Sequence, residues 1–142
     1  MTLRSDIVSE ARTWIDTPYG HQGRRKGTRV DCVGLVIGVG RTFGLTEFEH
    51  KAYTMSPDPV LMRRLCDENL NPLGTRSQVE LKLGMVLLLK VDNEPQHMGI
   101  VSEINPPFII HSMRSIRFCR EQELNVTDIV VVYDYKGNIE DG

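Results

Sequence analysis

The sequence predicts an α+β fold in which N-terminal helices pack on a C-terminal antiparallel sheet of about five strands. In the first half of the chain, residues 3–15 and 32–43 are apolar runs with the spacing or continuity of buried helices. The second half contains short β-prone runs separated by turn residues, and such close spacing favours antiparallel pairing. Helices first and strands afterwards is the order typical of this class.

The length and composition predict a single domain spanning residues 1–142. A chain of 142 residues with 40% hydrophobic and 25% charged residues is ordinary for a globular domain. The net charge of −2 gives no reason to expect a nucleic-acid partner. The N-terminus carries charges throughout, so we expect no signal peptide and no membrane insertion, with synthesis in the cytoplasm. The three cysteines have neither disulfide nor zinc spacing, and no metal or other cofactor is predicted.

The first helix is predicted over Leu3–Ile15, because apolar residues recur at helical spacing, and it ends before Pro18. Residues 19–30 are predicted to form a loop rich in glycine and basic residues. The basic residues fit either a solvated loop or an electropositive rim for an acidic substrate; they are Arg24, Arg25, Lys26 and Arg29.

Asp31 is a good N-cap for a second predicted helix over Cys32–Phe43. The glycines at positions 34, 38 and 40 weaken a helix, so their presence suggests the close approach of another backbone. Cys32 then falls in the first turn, where unpaired N–H groups and the helix dipole favour the thiolate. We therefore expect Cys32 to be a nucleophile, unless it is an inert core cysteine.

Further along, a third helix is predicted over Val60–Asn69, closed by a turn at Asn71–Gly74. Residues 46–54 give no clear pattern, and His50 among charged neighbours is expected at the surface. Five runs are predicted as strands: Met85–Val91, His97–Ile104, Phe108–His111, Ser115–Cys119 and Ile129–Tyr135.

Two histidines lie where neighbouring antiparallel strands meet. His97 begins one predicted strand and His111 ends the next, so the two could lie side by side at one edge of the sheet. A cysteine nucleophile needs a base and a group that orients the base. If the Cys32 helix packs across this sheet, the three form a catalytic site. The alternatives are a buried cysteine with polar strand ends, or a metal site that includes His21.

Three blocks of sequence resemble the NlpC-type cell-wall cysteine peptidases (the NlpC/p60 family). The first is Thr17–Gly23 followed by Asp31–Val36, similar to the threonine-proline-tyrosine turn and the aspartate-cysteine motif of the family. The second is Leu81–Val86, similar to the entry to the family's first strand. The third is His97–Val101 with Phe108–Ser112, similar to its two histidine strands.

The resemblance implies a papain-like fold and roles for particular residues. Cys32 matches the nucleophile, His97 the general base and His111 the residue that orients the base. Tyr19 matches the tyrosine beside the cysteine, where its hydroxyl helps to hold an oxyanion. Asp31 and His21 are expected to line the cleft.

The implied activity is hydrolysis of the peptidoglycan stem peptide, usually between D-glutamate and the diamino acid. The His-Gln pair after the tyrosine turn, the short length and the missing leader are most similar to the phage-tail branch, so we expect partners among tail hub or tip proteins. A structural tail module with little catalysis and a Cys–His amidase or acyltransferase are the alternatives. Val33 replaces the family's serine, which leaves recognition of a substrate amine open.

Overall fold

In the computed structural model, residues 1–46, 49, 53–54 and 58–141 are described. His50 and most of the unassigned stretch 46–54 therefore lie outside the described residues. The described residues form three helices: α1 over Arg4–Arg12, α2 over Cys32–Thr42 and α3 over Pro59–Asn69. They confirm the three predicted helices, although α1 ends before Trp14, which is nevertheless buried.

The described part of the chain also contains ten strands, and two of them form a small hairpin inside the predicted basic loop. Two short 3₁₀ helices, Arg114–Ile116 and Val126–Asp128, lie between later strands. The strands are β1 Thr2–Leu3, β2 Arg24–Arg25, β3 Arg29–Val30, β4 Asn71–Gly74, β5 Val86–Val91, β6 Glu94–Ile104, β7 Pro107–His111, β8 Arg120–Glu123, β9 Ile129–Asp134 and β10 Ile139–Glu140.

The central sheet has six strands in the order β4-β9-β5-β6-β7-β8, and every neighbouring pair is antiparallel. The predicted antiparallel sheet is therefore confirmed, with one more strand than expected. Two of its strands are not predicted by the sequence: β4, which the sequence assigns to a turn, and β8, which follows the predicted strand Ser115–Cys119. Pro72 lies within β4, and proline is tolerated there because β4 is an edge strand.

The prediction of a strand over Ser115–Cys119 is wrong. A 3₁₀ helix ends there at Arg117, whose φ of 69° places it in the left-handed region. The chain then pairs with the loop before α2: the Tyr19 N–H donates to the Arg117 carbonyl (2.7 Å), and the Cys119 N–H donates to the Thr17 carbonyl (2.8 Å). This segment thus holds the Thr17–Tyr19 loop in place instead of extending the sheet.

Helix α2 lies against the sheet in the main hydrophobic core. Its buried side chains pack with strand residues such as Val86, Ile100 and Ile110. Three tyrosines, Tyr53, Tyr133 and Tyr135, also belong to this core, and the Tyr135 hydroxyl donates to the Val36 carbonyl of α2 (2.6 Å). A second, smaller core that includes Leu87 and Val132 is formed separately. The start of α2, with Cys32, is therefore fixed by core packing along the whole helix.

No described helix has the length and apolar character needed to cross a membrane.

The first turn of α2 also touches the loop that precedes it. A methyl group placed on Gly34 would collide with the Gly23 carbonyl oxygen, which is a backbone atom and cannot move aside easily. The expected approach of another backbone is therefore observed at Gly34. At Gly38 and Gly40, side chains make the approach instead, including Trp14 and Tyr135.

We predict that Gly34→Ala destabilises the protein. Alanine in a helix interior would ordinarily stabilise by up to about 1 kcal/mol, so a net loss of about 1–3 kcal/mol would report the collision with Gly23. Urea denaturation measures the change in the free energy of unfolding. A variant as stable as the wild type, or more stable, would contradict this close packing.

Candidate active site

Cys32 is the first residue of α2 and lines a cavity of about 660 Å³. Asp31 caps the helix as predicted: its side chain accepts a hydrogen bond from the Gly34 N–H (2.8 Å). The cavity is also lined by four other predicted site residues, namely Tyr19, His21, Asp31 and His97. One cavity thus collects the nucleophile, the base and the tyrosine that the sequence indicates.

The Asp31 carboxylate, only 3% exposed, makes three contacts besides the cap. The Gln22 N–H donates to one oxygen (2.8 Å), and the Tyr53 hydroxyl donates to the same oxygen (2.6 Å). Arg24 forms an ion pair with the other oxygen (3.0 Å). A buried charge needs such partners, and their loss would leave it uncompensated. Sequence reasoning missed Arg24 and Tyr53 as partners because neither lies in a stretch with a periodic signal.

The basic loop does not form the electropositive rim that is one interpretation of its sequence. Arg24 points inward to Asp31 and also binds Glu49 (2.9 Å). Lys26 forms an ion pair with Glu10 (2.9 Å). Within the described part of the chain, the cavity lining includes no residue of this basic run, and its cations are Arg114 and Arg117.

His97 and His111 lie side by side, as the strand pattern predicts. His97 Nε2 and His111 Nδ1 are 2.8 Å apart, and both side chains are buried, at 6% and 7% exposure. Strand β6 carries a bulge directly before His97: Leu89 pairs with His97, but Lys90 pairs with Pro95. Bulges of this kind re-aim side chains at strand ends and are frequent next to active sites.

Two contacts connect the histidine strands to the nucleophile. The backbone N–H of Met98, the residue after His97, donates a hydrogen bond to the Cys32 sulfur. The Ser112 hydroxyl, next to His111, donates to the Val30 carbonyl just ahead of Asp31 (2.8 Å). These contacts tie β6 and β7 to the start of α2. The assignment of Cys32, His97 and His111 as catalytic residues stays a prediction, which the geometry supports.

Tyr19 also lines this cavity. Burial raises the pKa of its hydroxyl, and the charge of Asp31 raises it further, against the opposing effect of Arg114. Tyr19 therefore keeps its proton at neutral pH and can donate a hydrogen bond. His21 is also on the wall, with its ring 5.5 Å from that of Tyr53 and edge-on to it.

The described residues contain no group of three or more histidine, cysteine or acidic side chains arranged to hold a metal ion.

Comparison with known proteins relates the fold to one group of solved structures. No family model matches the sequence, and no curated protein matches it significantly. The crystal structure of the NlpC/p60 domain of the peptidoglycan hydrolase SagA matches with a TM-score of 0.63 and 18% identity, over 92% of this chain and 97% of that domain. The chain has the fold of an NlpC/p60 domain.

An NlpC/p60 family protein from Bacillus cereus ATCC 10987 also matches, with a TM-score of 0.66 and 17% identity. The alignment covers 94% of this chain but only 40% of the Bacillus protein. The predicted papain-like α+β class is thus confirmed at the level of the fold.

Within this NlpC/p60-like fold, the surroundings of Cys32 favour a protonated thiol, whereas its helix position in the sequence led us to expect a thiolate. Burial raises the pKa of the Cys32 thiol to about 12, with a further contribution from the charge of Asp31, and the N–H groups of Met98 and Val33 oppose it only in part. Burial also lowers the pKa of His97 to about 3, helped by His111. Both shifts favour a neutral thiol beside a neutral imidazole in the resting site.

We predict that Cys32 carries no thiolate between about pH 5 and pH 8, because a thiol with a raised pKa keeps its proton there. Ultraviolet absorbance of the thiolate measures this directly, as the difference between wild type and Cys32→Ser. The two buried cysteines, Cys66 and Cys119, are present in both proteins and cancel. A difference corresponding to one thiolate throughout this range would contradict the prediction and indicate a preformed ion pair with His97.

Proposed function

We propose that the chain is a cysteine peptidase that hydrolyses the stem peptide of peptidoglycan. The observation that carries the proposal is one cavity lined by both Cys32, at the start of α2, and His97, whose buried ring lies 2.8 Å from that of His111. The NlpC/p60 domain of SagA belongs to a peptidoglycan hydrolase, and the similarity to its fold supports this substrate class. We further propose that residues 1–142 act as a single domain.

The reaction would be acyl transfer in two steps. Cys32 Sγ attacks the scissile carbonyl while His97 accepts the thiol proton, which suits a resting pair that is neutral. His97 then gives this proton to the leaving amine as the C–N bond breaks, leaving a thioester. In the second step, a water loses a proton to His97 and attacks the thioester, and the acid product leaves as Cys32 recovers its proton.

The negative charge on the carbonyl oxygen needs donors in both steps. The Tyr19 hydroxyl is protonated and lies at the cavity wall with Cys32. Together with the Cys32 backbone N–H it would hold the oxyanion, and one such donor can be worth about 3 kcal/mol of the barrier. His111 would orient the His97 ring through their hydrogen bond.

The cavity also offers positive charge to an acidic peptide. Arg114 and Arg117 line it, and neither has an ion-pair partner among the described residues. Stem peptides carry free carboxylates beside the scissile bond, and arginine binds carboxylates through paired hydrogen bonds. This supports cleavage between D-glutamate and the diamino acid as the bond that we propose.

We propose a phage or phage-like tail tip as the setting, with tail hub or tip proteins as partners and synthesis in the host cytoplasm. The support for this context is the sequence Tyr19-Gly20-His21-Gln22, which is similar to the tail-encoded branch of the NlpC-type peptidases. Assembly into the virion would bring the enzyme to the cell wall.

We predict that wild type releases peptides from peptidoglycan fragments under reducing conditions, and that Cys32→Ala lowers the rate by about a thousandfold or more. Mass spectrometry of the released peptides measures the rate and identifies the bond. Cys66→Ala is the matched control, because it removes a buried thiol that does not line the Cys32–His97 cavity, and should retain activity.

No release by wild type would contradict the peptidase proposal. Equal release by Cys32→Ala would contradict the mechanism. Co-purification of a tail protein with both forms, without release, would favour the structural tail module instead. Cleavage of other amides, with peptidoglycan untouched, would favour the amidase alternative.

For the arginines, we predict that replacing both Arg114 and Arg117 by alanine raises KM about 3- to 10-fold for stem peptides with a free glutamate carboxylate. For the same peptide with that carboxylate amidated, KM should change little, because no charge is lost from the contact. Arg25→Ala removes an exposed arginine outside the cavity lining and serves as the control. Equal changes with both peptides would exclude a carboxylate contact.

A further inference from the structure

A chain of hydrogen bonds continues behind His97 to a residue that the sequence did not indicate. His97 Nε2 lies 2.8 Å from His111 Nδ1, and His111 Nε2 lies 2.6 Å from Gln122 Oε1. Gln122 belongs to β8, the edge strand next to β7, where it pairs with Ile109. This series of hydrogen bonds therefore runs from the cavity to the exposed edge of the sheet.

The chemistry of these atoms fixes which atom donates in each hydrogen bond. A carbonyl oxygen only accepts hydrogen bonds, so His111 must donate its Nε2–H to Gln122. A neutral imidazole has one N–H, so His111 Nδ1 is then an acceptor and takes the Nε2–H of His97. Burial lowers the pKa of both rings, which keeps them neutral. The remaining nitrogen of His97, Nδ1, is left with its lone pair.

We propose that Gln122 is a positioning residue that fixes the tautomers of both histidines and so leaves His97 Nδ1 as the basic nitrogen. A water molecule in place of the Gln122 carbonyl could donate or accept, and would allow either direction. In the reversed direction His97 carries its proton on Nδ1 and cannot take another there. The effect on catalysis rests on the proposed function, but the tautomers themselves do not.

The tautomers can be read without any substrate. Nitrogen-15 NMR spectra that correlate ring nitrogens with ring carbon-bound protons distinguish Nδ1–H from Nε2–H in each histidine. For wild type at neutral pH we expect Nε2–H on both His97 and His111. In Gln122→Leu we expect a mixture of tautomers on both rings. Glu123→Leu, an exposed neighbour on the same strand, is the control and should keep the wild-type pattern.

Activity provides a second readout. Gln122→Leu should lower kcat about 2- to 10-fold, the size of one hydrogen bond, with KM unchanged. Gln122→Glu keeps an acceptor and should restore the wild-type tautomers and kcat in alkaline solution. Its carboxylate also favours protonated His111. Protonated His111 would donate from Nδ1 to His97 Nε2 and so reverse the hydrogen bond between the two rings. The acid limb of the kcat profile should therefore move to higher pH in this variant.

Nδ1–H on His97 in wild type, or unchanged tautomers in Gln122→Leu, would overturn the proposal. An unmoved acid limb in a folded Gln122→Glu variant would also count against it. Expected tautomers without any peptide release would leave the role of Gln122 intact and contradict only the proposed peptidase function.

Discussion

The buried carboxylate of Asp31 is the interaction on which the arrangement of the site depends. One oxygen caps α2 at Gly34 and faces Arg24, and the other accepts from Gln22 and Tyr53. One residue thereby starts the helix that presents Cys32 and closes the loop that carries Tyr19 and His21. Its charge is balanced by Arg24, so the loop and the helix are held together by a compensated buried ion pair.

The sheet supplies the other half of the site, and its register decides where the base lies. The bulge before His97 and the pairing of β6 with β7 bring two histidines from different strands into hydrogen-bond contact. The Ser112 hydroxyl, which donates to the Val30 carbonyl, then connects this edge to the segment directly before α2. Loop, helix and sheet are thus coupled by specific polar contacts around one cavity, in addition to the shared core.

Local sequence signals were sufficient for the elements that build the site. A capping aspartate before an apolar run predicted α2, and short β-prone apolar runs separated by turn residues predicted β5, β6, β7 and β9. The resemblance to NlpC-type peptidases added roles for residues that local patterns leave open. The fold that it implied agrees with the structural comparison.

Other features depend on contacts between distant parts of the chain and could not be read locally. Residues 71–74 have turn composition, and they form a strand only because β9 pairs with them. Residues 115–119 look β-prone, but their partner is the Thr17–Tyr19 loop. Since the sequence predicts no strand over Arg120–Glu123, which forms β8, nothing in it placed Gln122 beside His111. The inward turn of Arg24 likewise follows from its distant partners Tyr53 and Glu49.

The position of Cys32 at a helix start would by itself favour a thiolate, whereas its surroundings favour a neutral thiol. The helix start offers N–H groups, but burial and the adjacent Asp31 charge outweigh them. Under the proposed mechanism, removal of the thiol proton is then part of the reaction and is carried out by His97. Arg114 and Arg117, which have no ion-pair partner among the described residues, would attract an acidic peptide in the proposed function, whereas the proposed chemistry depends on the thiol and the two rings.

The most direct measurement is the intact mass of the protein quenched in acid during turnover of a stem peptide, followed by mapping of the modified residue. The account predicts a thioester adduct on Cys32, formed by wild type and absent from His97→Ala. An adduct on Cys66 or Cys119, or one formed equally without His97, would contradict it.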